Sequence, residues 1–197
     1  LKSLPADHPG RPDLEVIVGQ IDRISNIIRS LLDTVRQQKP EIQSVPIPPL
    51  LQRLVPLLDH LARRRGVTIA AKAGEPLPDV AADPNQVQQV LINLLMNALE
   101  ATPRGGRISV EAWACPNDGR PGVAVAVSDT GSGIPSEVLP RVFEPFFTTK
   151  PQGQGTGLGL SICRDILREH GGTLAVQSRS GQGATFTAWM PVHEAAG

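Results

Sequence analysis

The chain has 197 residues, of which 40% are hydrophobic and 19% charged, so one domain of ordinary size plus an appendage is expected and intrinsic disorder is excluded. Its formal net charge is zero at pH 7, which argues against a broad basic surface for nucleic acid or anionic membranes. Two cysteines without metal-ligand spacing favour a reducing, cytoplasmic compartment over a disulfide scaffold.

The N-terminal segment predicts a long amphipathic helix after a proline-rich opening. Its aliphatic residues recur at alternating intervals of three and four: Leu14, Ile17, Ile21, Ile24, Ile28, Leu31 and Val35. Such a heptad stripe is typical of a coiled coil or helical bundle, because it needs a partner to bury it. We expect residues 13–39 to form a homodimer; the alternative is a helix packed on its own domain. Pro40 predicts the end of this helix at Lys39.

Residues 40–49 are rich in proline and predict a linker with a short strand at Gln43–Val45. Beyond it, the predicted elements are a helix over Leu50–Arg65 that Pro56 kinks or delays, a strand over Val67–Lys72, a helix over Asp83–Thr102, strands over Arg107–Trp113 and Val123–Ser128, a helix over Leu158–His170, and a hairpin of Thr173–Arg179 and Ala184–Pro191. This order predicts an α+β fold, a two-layer α/β sandwich in which about three helices cover a mixed, largely antiparallel sheet.

The helix over Asp83–Thr102 carries an unusual polar face. Asp83 is a good N-cap, and Gln86 is placed to complete a capping box. Asn93 and Asn97 lie one turn apart, although asparagine is a mediocre helix former. Their amide oxygens could reach a Mg²⁺ ion that bridges phosphates, and the alternative is an ordinary solvated face.

A strand rich in valine and alanine runs directly into Asp129, and Gly131 and Gly133 follow. A carboxylate fixed at a strand end can accept a hydrogen bond from the exocyclic amine of adenine, and the glycines would leave room for the base. The alternative is an aspartate in a simple turn.

Two further segments follow. Residues 141–150, "RVFEPFFTTK", hold most of the phenylalanines and predict either a core plug or the anchor of a mobile lid. In the stretch "GQGTGLGLSICRDILREHGG", a glycine-rich loop is followed directly by a predicted helix. The N-terminus of a helix favours anions, so the loop is a candidate phosphate site. A flexible linker is the alternative for this loop, and "GQGATF" at 181–186 predicts a hairpin turn.

The order of these motifs resembles the ATP-binding domain of sensor histidine kinases, of the nitrogen-regulation type, from Leu50 to His193. Asn93 and Asn97 correspond to the N box, Asp129–Gly133 to the first glycine box, Phe143–Phe147 to the F box, Gly155–Leu160 to the second glycine box, and Gly181–Phe186 to the third. The resemblance extends upstream, where residues 21–36 are similar to the second helix of the family's dimerisation and phosphotransfer hairpin.

The resemblance implies a Bergerat-type fold that binds ATP and Mg²⁺, with Asn93 and Asn97 as the catalytic pair and Asn97 on the metal. Asp129 would read the adenine, while Lys150 and Thr156 would close over the phosphates as part of a glycine-hinged lid. The nucleotide-binding residues it implies are Asp129, Gly131, Gly133, Ile134, Phe143, Lys150, Gly155, Thr156, Gly157, Leu158, Gly159, Leu160 and Thr185.

The same resemblance divides the chain into a remnant of the hairpin at 1–39, a linker at 40–49, an ATP-binding domain at 50–193 and a tail at 194–197. Its implied partners are ATP or ADP, a helix carrying the phospho-acceptor histidine, and the receiver domain of a response regulator. None of His8, His60, His170 and His193 fits the acceptor position. We therefore expect the acceptor helix to be missing from this chain, which would not phosphorylate itself.

Other functions use the same fold. ATPases of the gyrase, MutL and heat-shock chaperone type place a general-base glutamate where this chain has Asn93, which disfavours hydrolysis, although Glu100 on the same face keeps it open. An anti-sigma-like protein-serine kinase and a non-catalytic nucleotide-binding dimerisation module are the remaining alternatives.

Overall fold

A computed structural model describes residues 40–74, 76–150 and 155–193. The predicted bundle helix at 13–39 and the tail at 194–197 lie outside these ranges. Within them, no helix combines the length and the hydropathy that crossing a membrane requires.

The described elements match the predicted order and add one short strand. They are β1 (Gln43–Val45), α1 (Ile47–Arg65), β2 (Thr68–Ala73), β3 (Val80–Ala82), α2 (Pro84–Ala101), β4 (Arg107–Ala114), β5 (Gly122–Asp129), a 3₁₀ turn (Leu139–Arg141), α3 (Gly159–Glu169), β6 (Thr173–Ser178) and β7 (Ala184–Pro191). The unpredicted strand, β3, pairs antiparallel with β1, so the segment predicted as a linker is hydrogen-bonded to the chain just before α2.

The main sheet has five strands in the order β2-β4-β5-β7-β6, and only the β2–β4 pair is parallel. Alternate residues of the central strand, Val123, Val125 and Val127, are buried in the core that the helices supply. The largest buried side chains of α2 include Leu91, Leu94, Leu95 and Leu99. All three helices contribute to this one core, which confirms the predicted two-layer α+β sandwich.

Helix α1 begins earlier than predicted and continues through Pro56. Its first turn contains Pro48 and Pro49, where the missing amide hydrogens have no intrahelical partner to lose. Pro56 lies on the exposed side of the helix, where water can satisfy the carbonyl group that loses its partner. The prediction that Pro56 would delay the start of this helix is therefore wrong.

Of the two hydrogen-bonding interactions that the predicted capping box of α2 requires, the structure contains one and lacks the other. Asp83 Oδ1 accepts hydrogen bonds from the amides of Asn85 and Gln86, at 2.9 and 3.3 Å. The predicted capping box also requires the Gln86 side chain to accept from the Asp83 amide, but Gln86 Oε1 is buried without a partner. That part of the prediction is wrong, because the Asp83 amide donates to Nε2 of His170 at 2.9 Å.

Candidate functional site

A cavity of about 1040 Å³ opens between α2, the end of β5, the phenylalanine segment and the N-terminus of α3. Most of the site residues predicted from the sequence line it: Asn93, Asn97, Asp129, Gly133, Ile134, Lys150, Gly155, Thr156, Gly157, Gly159 and Leu160. Residues that are far apart in the chain therefore meet around one space of a size suited to a small-molecule ligand.

Four predicted residues lie outside the lining. The Gly131 amide donates to Asp129 Oδ1 at 2.7 Å, so Gly131 acts through its neighbour. Thr185 shares a hydrogen bond with Ser128, with 2.8 Å between the hydroxyl oxygens. Phe143 packs partly buried against the core. Leu158 is buried at the residue that precedes α3.

One end of the cavity is set by Asp129, the last residue of β5. The residue is only 8% exposed, and burial raises the pKa of the carboxyl group because the charged form loses solvation. Hydrogen bonds from the amides of Gly131 and Ala184 oppose this by lowering the pKa. A carboxylate offers about four acceptor positions, so it can still accept from a ligand amine in the cavity.

The glycines after Asp129 are required by close backbone packing. A Cβ on Gly131 would lie 2.4 Å from the Ala101 carbonyl oxygen at the end of α2. Gly133 has a positive φ of +66°, and a Cβ there would lie 2.0 Å from the Arg179 carbonyl oxygen. The turn is therefore wedged between α2 and the β6–β7 turn, and any side chain would displace the loop that holds Asp129.

The other end of the cavity is formed where α2 meets the N-terminus of α3. A Cβ on Gly159 would lie 4.0 Å from both the Asn93 side-chain carbon Cγ and Asn97 Nδ2. The first turn of α3 leaves backbone N–H groups without intrahelical partners. Two neutral amides and a helix N-terminus together suit an anionic ligand and its counter-ion.

Lys150 closes this end of the cavity through an ion pair with Glu100, which lies on α2 one turn beyond Asn97. Each side chain is 34% exposed, so solvent and ligands can reach the pair. The cation that the sequence assigned to phosphate is thus held by a carboxylate in the structure. Any anion that takes Lys150 must compete with Glu100.

The structure also adds residues that the motifs did not identify. Arg65, at the end of α1, lines the cavity and donates from Nη1 to the Leu99 carbonyl oxygen at 3.3 Å. Phe147 lines the cavity, with the guanidinium carbon of Arg141 4.5 Å from its ring centre. The phenylalanine pattern pointed to this segment but not to which ring faces inward, and Arg65 carried no motif signal.

Known proteins share this arrangement. Residues 82–194 match the family described as histidine kinase-, DNA gyrase B- and HSP90-like ATPase. The sensor histidine kinase ZraS of Escherichia coli (strain K12) is 36% identical over 189 residues, which are 96% of this chain and 39% of ZraS. The chain thus spans about two fifths of that relative.

Solved histidine kinases have the same fold. The catalytic domain of ThkA has a TM-score of 0.68 and 35% identity, covering 77% of this chain and 96% of that domain. ThkA in complex with the response regulator TrrA has a TM-score of 0.75 and 28% identity, covering 96% of this chain and 53% of the ThkA chain. Full-length ShkA in complex with AMPPNP has a TM-score of 0.77 and 28% identity, covering 100% of this chain and 42% of the ShkA chain. The chain therefore belongs to the histidine kinase-, DNA gyrase B- and HSP90-like ATPase family and carries an ATP-binding catalytic domain of the sensor histidine kinase type.

Proposed function

We propose that this chain binds Mg-ATP and supplies the phosphoryl donor of a protein-histidine kinase. The observation that carries the proposal is one cavity with a buried acceptor, Asp129, at its sheet end and two amides beside a helix N-terminus at the other. The two ends of the cavity match the two ends of ATP. The adenine has an amine that can donate to the carboxylate, and the phosphates carry the negative charge that suits the amides and the helix N-terminus. We therefore infer the orientation of the nucleotide from Asp129 to Asn97.

Asp129 recognises the base in this proposal. Its carboxylate accepts the hydrogen bond of the adenine amine, while Oδ1 keeps the bond from the Gly131 amide. Ile134 and Phe147 supply apolar surface to the same cavity, which suits a flat ring. Discrimination against guanine follows, since guanine presents a carbonyl oxygen where adenine has its amine.

Asn97 and Asn93 serve the phosphate end, together with the amides that begin α3. The described ranges hold no group of three His, Cys, Asp or Glu side chains that could bind a metal by themselves. The residues present nevertheless fit Mg²⁺, because the Asn97 amide oxygen can add to the phosphate oxygens as a hard ligand without adding charge. When bound, Mg²⁺ supplies neutralisation of the phosphate charge during transfer.

Transfer to a histidine is favoured over hydrolysis by the lack of a base at residue 93 of α2. Asn93, where the gyrase-type ATPases have their general-base glutamate, cannot accept a proton at neutral pH, and Glu100 lies two turns further along the helix. Lys150, Thr156 and the backbone of residues 155–160 then hold the transferred phosphate at the mouth of the cavity. An incoming imidazole brings its own nucleophilic nitrogen, so the domain has only to orient the nucleotide and exclude water.

The partners follow from this chemistry and from the relatives. We propose that a helix carrying the acceptor histidine meets the cavity mouth and that the phosphate passes to an aspartate of a response regulator. ThkA, solved with the response regulator TrrA, supports this. Homodimerisation through residues 13–39 and a cytoplasmic location are further parts of the proposal.

Kinase activity is tested by mixing the chain with Mg-ATP labelled on the γ-phosphate and a separate hairpin that presents the acceptor histidine. We expect a phosphohistidine, which is labile to acid and stable to base, on the hairpin. Steady release of phosphate without any acceptor would instead support the ATPase alternative.

Base recognition is tested with Asp129→Asn. If its oxygen keeps the Gly131 hydrogen bond, its NH₂ group faces the adenine amine as a second donor, so Mg-AMPPNP should no longer raise the melting temperature. Without the substitution, ligand at a hundred times its Kd should stabilise the domain by about 2.7 kcal/mol. Glu137→Gln, an exposed acid in the following loop, is the control and should keep the shift.

The same variant gives a pH test without nucleotide. Because burial raises the pKa of Asp129 above its ordinary value of 3.8, its contribution to stability is greatest below that value and is lost as the pH rises through the folded-state pKa. The free energy of unfolding of Asp129→Asn should therefore improve, relative to the unsubstituted chain, between pH 4 and neutrality. A constant difference would contradict the assigned burial cost.

The Lys150–Glu100 ion pair predicts that removing its carboxylate raises the affinity for ligands that carry phosphates but not for the bare nucleoside. Glu100→Gln should tighten Mg-AMPPNP binding by about two- to fivefold, the scale of an exposed ion pair, because Lys150 no longer has to leave a carboxylate to reach the terminal phosphate. Adenosine, which lacks phosphates, should bind unchanged in calorimetry. Glu111→Gln on β4 removes an exposed charge elsewhere and should affect neither ligand.

Gly159→Ala separates stability from binding. The added methyl group meets only ordinary contacts and replaces glycine in a helix, so thermal stability should hold or rise by up to about 1 kcal/mol. The methyl group nevertheless fills space between Asn93, Asn97 and the start of α3, so Mg-ADP should bind more weakly. Gly74→Ala, remote from the cavity, is the matched control, and equal affinities for the two variants would refute this placement of the phosphates.

A further inference from the structure

His170 and Asp83 make a partly buried contact that the nucleotide site itself does not use. His170 follows the last residue of α3 and is only 6% exposed. Its Nε2 lies 2.9 Å from the amide nitrogen of Asp83, and its Nδ1 lies 2.7 Å from the carbonyl oxygen of Ile166. The contact joins the end of α3 to the start of α2.

The two partners of His170 fix its tautomer. A backbone amide can only donate and a carbonyl oxygen can only accept, so Nδ1 carries the proton and Nε2 presents a lone pair. The ring is therefore neutral, and both of its nitrogens are satisfied. A second acceptor with the same reach could replace Nε2, but an apolar side chain would leave the partly buried Asp83 amide without this partner.

Asp83 connects this contact to two other segments. Its Oδ1 caps α2, as described above, and its Oδ2 accepts from the amide of Glu41 at 3.1 Å. Two residues further on, β1 pairs with β3, with Gln43 opposite Ala82. The chain that enters the domain, the helix that carries the two asparagines and the helix that starts at the glycine loop thus meet at one residue.

The contacts between α2 and α3 follow one another along the helices. At the cavity, Gly159 approaches Asn93 and Asn97. Further along, Cys163 Sγ lies 3.8 Å from the carbonyl oxygen of Val90. At the far end, His170 bonds Asp83. The approach at Gly159 involves no hydrogen bond, and the thiol hydrogen bond of Cys163 is weak. Cys163, Ile166 and Leu167 also pack into the common core, but packed helices can slide by small amounts, whereas a hydrogen bond has a fixed geometry.

We propose that His170 is a positioning residue of the nucleotide site, an inference that rests on the proposed function. Its hydrogen bond to Asp83 fixes α3 along α2 and so sets the distance between the N-terminus of α3 and Asn97. Helix α3 has 11 residues and is about 16 Å long, and a helix transmits a shift at one end to the other. The phosphates and the metal would bind at the end whose position this contact fixes.

The base end does not depend on this contact. Asp129 belongs to β5, and its turn is held by Gly131 against α2 and by Gly133 against the β6–β7 turn. Loss of the His170 hydrogen bond should therefore weaken ligands that carry phosphates and leave binding of the bare nucleoside unchanged. A residue that served only the stability of the domain would not separate the two.

The test compares His170→Leu, His170→Gln and His170→Asn in the full chain, with Mg-ADP and adenosine as calorimetric probes. His170→Leu should weaken Mg-ADP by about five- to tenfold, the scale of one buried hydrogen bond, and adenosine by less than about twofold. His170→Gln should recover most of the loss, because its terminal oxygen reaches the position of Nε2. His170→Asn reaches only the position of Nδ1 and should not.

Several outcomes would overturn the inference: equal loss for both ligands, no loss in His170→Leu, or equal behaviour of the glutamine and asparagine variants. If the leucine variant does not fold, the glutamine and asparagine pair decides. Long-range ¹H–¹⁵N spectra of the unsubstituted chain give an independent check, and a proton on Nε2 would contradict the contact. Failure of the unsubstituted chain to bind either ligand would instead reject the proposed function.

Discussion

The site depends on a buried carboxylate at the end of the central strand. Asp129 is placed there by a strand that is buried along nearly all of its length, so the charge must be balanced locally. The amides of Gly131 and Ala184 offset part of the cost of burying it, and the glycines allow the close backbone packing that places this turn. The first glycine motif is therefore best explained by the need to hold a charge in the core, and the proposed recognition of a base would use the acceptor capacity that remains.

The two ends of the cavity are formed by different kinds of structural element. The base end consists of sheet and tightly wedged turns, in which a side chain on Gly133 would collide with backbone. The proposed phosphate end consists of two helices and an ion pair whose side chains are each 34% exposed. Such a division suits a domain that must hold a nucleotide while releasing its terminal phosphate, because the solvent-accessible pair can exchange partners when the phosphate leaves while the base end stays unchanged.

The sequence predicted most of the fold because the signals were local. The N-cap at Asp83, the apolar face of α2 and the alternation in β5 each act within one element. The failures involve residues that are distant in the chain. His170 takes the Asp83 amide from 87 residues away, and Lys150 finds Glu100 from 50 residues away. Periodicity cannot reveal such pairs, and it could not show that Phe147, rather than Phe143, faces the cavity.

The contacts also define where the functional unit begins. The family match starts at residue 82, yet Arg65 lines the cavity and the amide of Glu41 bonds the N-cap of α2. A chain that began at residue 82 would lose β1, α1, β2 and all of β3 except its last residue, and with them part of the common core. The helix with the two asparagines would keep its sequence but lose the strand pairing and the helix beside it that help to fix its position. These contacts therefore favour a functional unit that begins near residue 41, where the Glu41 amide bonds the residue that caps α2.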